Sequence, residues 1–200
     1  MNKKFFLIAM IFGFAFSLQA KKPKNYIYKT YKEFIDSSGT EFSDLSMMHV
    51  MALVKVTFAT SEGKVTYSGK EIWGYLYKGK LFRSDKRTGQ FAMLVSSGKI
   101  CYYENGWAHT LMQKNNTKSE EFAVGYYTYV SKSLKSELTP LPVGAGLSDA
   151  NGLTKSFRAK YPEYESFFKS LGKKWTIDNL RTKVQAYNKS EVEKTEVDGD

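Results

Sequence analysis

The chain has 200 residues, 30 of them lysine or arginine against 20 acids, for a formal charge of +10, with 16% aromatic residues and one cysteine. A single cysteine excludes an intramolecular disulfide framework. The basic balance would suggest a nucleic-acid partner in a cytoplasmic protein, but the N-terminus described next argues against one and leaves solubility, or attraction to anionic lipid, acidic glycan or an acidic protein.

Lys3 and Lys4 precede an apolar run from Phe5 to Phe16, and small residues follow at Ser17 and Ala20. That order predicts an export signal over residues 1–20, cleaved after Ala20 by preference, with the bond after Ser17 as the alternative. The run is shorter than the roughly 20 residues a bilayer-crossing helix requires, and no later run of that length follows. The mature chain is therefore expected in the periplasm or outside the cell, not membrane-spanning. A single β-rich domain is expected over residues 21–189, with a disordered acidic tail over residues 190–200.

Residues 21–29 read as a basic lead-in. Thr30 and Glu33 have capping-box spacing, and Tyr31, Phe34 and Ile35 share one helical face, which predicts a helix over 31–37 with Ser38 and Gly39 as its stop. Residues 40–49 match neither period. From Val50 the period becomes two: Val54, Val56 and Phe58 alternate with Lys55 and Thr57. About eight short strands follow up to residue 132, separated by turn-forming segments such as Lys78-Gly79-Lys80 and Asn105-Gly106. Several are apolar on both sides. In EIWGYLYK the alternation places Trp73, Tyr75 and Tyr77 on one face and Ile72 and Leu76 on the other.

Residues 136–152 read as a connector rich in proline and glycine. Three helical segments are expected after it. Leu153 and Phe157 mark a short one. Pro162 opens a second, with Tyr164, Phe167, Phe168 and Leu171 on one stripe. The third runs from Ile177 to Lys189, with Ile177, Leu180, Val184 and Tyr187 as its buried face. The expected fold is α+β and mostly β: an antiparallel meander, curled toward a barrel or sandwich, with a short N-terminal helix and two to three C-terminal helices packed on it.

Chemistry is sparse in this pattern. His49 and His109 stand alone, without the clustered histidines, thiols or carboxylates of a metal site, and no cofactor fingerprint is present. The one nucleophile–base pair that topology would bring together is Cys101 with His109, across a hairpin at Asn105-Gly106, but KICYY reads as a buried strand. Glu71, Asp85 and Glu104 are the acids in or beside strands that a glycosidase pair would draw on. The compositional excess is aromatic. Trp73, Tyr75, Tyr77, Tyr103 and Trp107, with His109, are the candidate ligand-binding residues, since tyrosine and tryptophan join apolar area to a polar tip. The chain reads as a non-enzymatic binding or structural module for a protein, glycan or lipid surface. A small extracellular hydrolase with a site assembled only in three dimensions is the alternative.

The leader, the YKTYKEF segment at 28–34, the KEIWGYLYKGKLFR segment at 70–83 and the C-terminal QAYNK together resemble secreted or envelope proteins of unknown function from Bacteroidetes-type bacteria. The resemblance implies an envelope or extracellular location and supplies no catalytic residues.

Overall fold

The computed structural model describes residues 23–50, 53–105, 128–141, 153–171 and 177–190. The expected export signal, Trp107, His109, the Cys101–His109 hairpin and the acidic tail beyond Ser190 lie outside them. In chain order the elements are β1 (Asn25–Tyr28), α1 (Tyr31–Ile35), β2 (Thr40–Val50), β3 (Leu53–Thr60), β4 (Gly63–Ser68), β5 (Gly74–Tyr77), β6 (Lys80–Ser84), β7 (Phe91–Ser96), β8 (Cys101–Glu104), β9 (Thr128–Ser131), β10 (Thr139–Leu141), α2 (Leu153–Lys160), a 3-10 turn (Pro162–Tyr164), α3 (Glu165–Leu171) and α4 (Ile177–Lys189). No helix among the described residues is long and apolar enough to cross a membrane.

The ten strands form one antiparallel sheet in the order β10, β9, β8, β7, β6, β5, β1, β2, β3, β4. Most neighbours are consecutive hairpins, as the short turns predict. Lys78 (φ 50°) and Gly79 (φ 76°) form the two-residue β5–β6 loop, both with the positive φ of a turn that matches strand twist. Three strands depart from the expected pattern. The basic lead-in is β1, which inserts between β2 and β5, and the 40–49 segment, which matches no period, is most of the eleven-residue β2. A bulge between Phe42 and Asp44 breaks the β2 alternation, which is why the segment has no clean period. The expected connector also contributes an edge strand, β10, where Pro140 is tolerated.

The α1 cap is as expected: the Glu33 amide donates to Thr30 Oγ1 at 3.2 Å. Glu33 Oε2 accepts from the Lys29 amide at 2.7 Å, one residue further out than a reciprocal capping box would place it. The helix stops earlier than Gly39, with Asp36 as C-cap and Ser37 at φ 52°.

The sheet is strongly curled. Neighbouring strands are about 4.8 Å apart, so β3 and β5, with β1 and β2 between them, would be roughly 14 Å apart in a flat sheet. The Phe58 and Tyr75 rings nevertheless meet at 5.4 Å. At one rim the curl brings the end of β4 against the β6–β7 turn, where the Gly69 amide donates to Gly89 O at 2.9 Å. A Cβ on Gly69 would lie 2.6 Å from that oxygen, so the contact requires glycine. The ladder does not close, and β4 and β10 remain its edges.

Both faces are covered by apolar side chains. The inner, concave face carries Ile27, Phe42, Val56, Phe58, Tyr75 and Phe91. The outer face carries Tyr28, Trp73 and Leu81, packed by Tyr31 and Phe34 of α1, and continues through Leu94 and Leu134 to Cys101, Tyr103 and Tyr129. The C-terminal helices lie on the inner side of the β7–β10 half. Phe167, Phe168, Leu171, Leu180 and Val184 meet Ile100, Tyr102, Val130 and Leu141 there.

Candidate binding site on the inner face

Cross-strand register builds this site. Residues directly opposite one another on adjacent strands share a face. Ile27 of β1 is opposite Tyr75, Tyr75 opposite Phe82, Phe82 opposite Met93, Met93 opposite Glu104, and Glu104 opposite Thr128. One row thus crosses six strands of the inner face, apolar at the β1 end and carrying a carboxylate where the helices sit. The Tyr75 and Phe82 rings stack at 4.7 Å, and Phe91 meets Tyr75 edge-on at 5.2 Å.

Glu104 is buried, and Arg181 of α4 forks onto it, with Nε donating to Oε1 at 2.6 Å and the terminal amine to Oε2. This pair ties the helical layer to the sheet. Asn188 does the same near the end of α4, donating to Ser96 Oγ and Ile100 O while its Oδ1 accepts from the Ile100 amide. Tyr164 Oη adds a donation to Lys99 O at 2.7 Å.

Beyond the helices the inner face is less well covered. Met47, opposite Val56 in the β2–β3 ladder, is 45% exposed, and Leu45, Val65, Tyr67, Tyr77 and Phe82 are half-buried. Beside the bulge, at the end of the β2–β3 ladder, Glu41, Phe42, Ser43, Ala59, Thr60 and Ser61 line a separate groove of about 410 Å³. On the inner face the hydroxyl of Tyr75 is buried without a hydrogen-bond partner among the described residues, while that of Tyr102, under the helices, sits beside Glu104. A buried polar group is seldom left as the Tyr75 hydroxyl is.

The candidate residues read from the sequence do not form one platform. Tyr75 and Tyr77 are on the inner face, while Trp73 and Tyr103 are on the outer one. Trp73 therefore does not share a face with Tyr75, and Ile72 does, a correction to the alternation expected for EIWGYLYK. The reason is local. The regular ladder begins only at Gly74, and residues 72 and 73 are held irregularly, with Ser84 Oγ donating to both of their carbonyls and the Ser84 amide to Trp73 O. Tyr103 is enclosed, its hydroxyl 2.9 Å from Ser131 Oγ. Trp107 and His109 lie outside the described residues. Sequence pattern does not single out Arg181, whose charge on a helix reads as solvated surface, or Met47, which falls in a segment without a period.

Cys101 is buried on the outer face, and burial pushes its thiol pKa up. Of the strand acids, Glu71 accepts from the Ser68 amide and hydroxyl, and Asp85 accepts from the Arg87 amide and Thr88 hydroxyl in the β6–β7 turn. These are turn-fixing roles, and Glu71, Asp85 and Glu104 sit in three separate settings. Among the described residues no group of three or more metal-ligating side chains occurs.

Burial raises the phenol pKa of Tyr75, Tyr102, Tyr103 and Tyr129, and carries that of Tyr164 to about 12. An unfolded phenol ionises near pH 10, so the folded state holds these protons more tightly. Their stabilising contribution is complete below that pH and is lost as pH rises through the folded values, with Cys101 adding the same sign from about pH 9. The urea midpoint should be flat from about pH 7 to 8 and fall steeply between about pH 9.5 and 11. A midpoint unchanged at the alkaline end would show that these phenols are solvated. Comparison with protein-family models, curated proteins and solved structures gives no match for the chain.

Proposed function

We propose that the chain is an exported, non-enzymatic binding module that holds the apolar part of an amphipathic, lipid-like ligand against the inner face of its curled sheet. The observation carrying this reading is the inner face itself, a concave apolar and aromatic surface in an unclosed sheet, partly exposed from Leu45 and Met47 to Tyr77. Sheets that curl this far form interiors suited to a single apolar ligand, with a few polar groups fixing its orientation. The buried hydroxyl of Tyr75 is such a group, able to donate to an ester, amide or carboxyl oxygen. The basic balance supports an anionic headgroup, and the leader-like N-terminus supports export.

Titration of the full chain with a fluorescent fatty acid tests the reading. Saturable binding is expected, weakened about tenfold or more by Met47→Asp, which sets a charge among the exposed apolar groups without disturbing the enclosed core. Absence of saturable binding, or equal binding by the variant, would remove this function.

A further inference from the structure

Arg83 is a buried cation without a counter-ion among the described residues. It is 3% exposed, and none of their ion pairs includes it. Its terminal amines donate to the carbonyls of Leu134 and Ser136, which close over it from the segment between β9 and β10. Its Nε donates to nothing among the described residues. The guanidinium lies over the Trp73 ring at 4.2 Å from the centroid, and Trp73 Nε1 is also buried and unpartnered among the described residues. Tyr28, Tyr31 and Phe34 pack around the indole and exclude water from its other side. A desolvated charge is strongly unfavourable unless paired, and a guanidinium does not escape by losing its proton. Burial pushes the Arg83 pKa down, while the neighbouring Tyr103 and Cys101 act in the opposite direction.

We propose that Arg83 and Trp73 form a receptor for one small anion, held by Arg83 Nε–H and Trp73 Nε1–H. The two orphan donors and the charge left unneutralised among the described residues have one remedy in common, an anionic acceptor of one or a few atoms, either a halide or a small carboxylate. Tyr31 and Phe34 of α1 and Leu134 of the β9–β10 segment meet at this place, so the anion would fasten both onto the outer face. This inference does not rest on the inner-face reading, since the two sites occupy opposite sides of the sheet.

Thermal unfolding of the full chain at fixed ionic strength, in sodium gluconate against chloride, bromide or formate, tests it. Gluconate is too large to enter. A saturable rise of about 3 °C is expected in the small anions. It should disappear in Arg83→Met and in Trp73→Phe, the second variant serving if the first does not fold. A response to halides alone identifies a halide site, and a response to formate alone a carboxylate site. Equal midpoints in all four salts, or a rise that persists in Trp73→Phe, would overturn the proposal. So would a bromide-soaked crystal with only water between the two nitrogens.

Discussion

Phe168→Ala is expected to destabilise the sheet together with the helices, by about 3 to 5 kcal/mol, the usual cost of removing a buried phenylalanine. Phe168 is enclosed in the cluster where the C-terminal helices meet Ile100, Tyr102, Val130 and Leu141. Its ring meets Phe167 at 5.2 Å and Phe157 at 5.9 Å, both edge-on, so truncation leaves a cavity lined by rings that cannot collapse into it. The Arg158 guanidinium lies 5.6 Å from the ring centroid and loses that contact as well. Urea unfolding followed by far-ultraviolet and near-ultraviolet circular dichroism checks the result. Coincident transitions shifted to lower urea are expected. A loss confined to the helical signal, with tyrosine and tryptophan bands unchanged, would show that the helices are an appendage and not part of the sheet's core.

The second large effect is expected at Arg181. Removing its side chain leaves the Glu104 carboxylate buried on the inner face without the guanidinium that forks onto it. Breaking a buried pair from one side typically costs about 3 to 5 kcal/mol, and Arg181→Ala should fall at the lower end because the Arg181 side chain is 26% exposed. The double variant Glu104→Leu with Arg181→Leu should recover much of that loss, since two apolar residues need no compensation in this setting. The inner-face reading adds a functional consequence: the pair fastens the helical layer beside the proposed ligand surface, so Arg181→Ala should also change the rate of fatty-acid uptake. Equal stability of wild type and Arg181→Ala would mean that Glu104 draws its compensation from elsewhere.

Much of the fold is legible in local pattern. Helix α4 follows from four apolar residues on one stripe between Ile177 and Lys189, and its observed boundaries are those two residues. The β5–β6 hairpin follows from Lys78-Gly79, where two positive φ values suit a tight turn, and β3 follows from strict alternation. Elements without such a signature escape a reading of this kind. The β2 bulge shifts its alternation by one residue, and β1 has only four residues beside a run of lysines.

Turn chemistry and side-chain periodicity act within a few residues of each other, so an antiparallel, aromatic-rich sheet with C-terminal helices can be read from the chain. Which partner each face meets is a property of the folded molecule. The insertion of β1 between β2 and β5 depends on pairing across more than forty residues, and the curl that brings Phe58 to Tyr75 depends on summed strand twist. Burial of Arg83 and Glu104 is equally hidden, because a charged residue in an alternating strand reads as solvent-facing. The covering elements, the β9–β10 segment over one and α4 over the other, turn those positions inward. The same long-range packing separates Trp73 from Tyr75, which stand two residues apart in the chain and on opposite faces of the sheet.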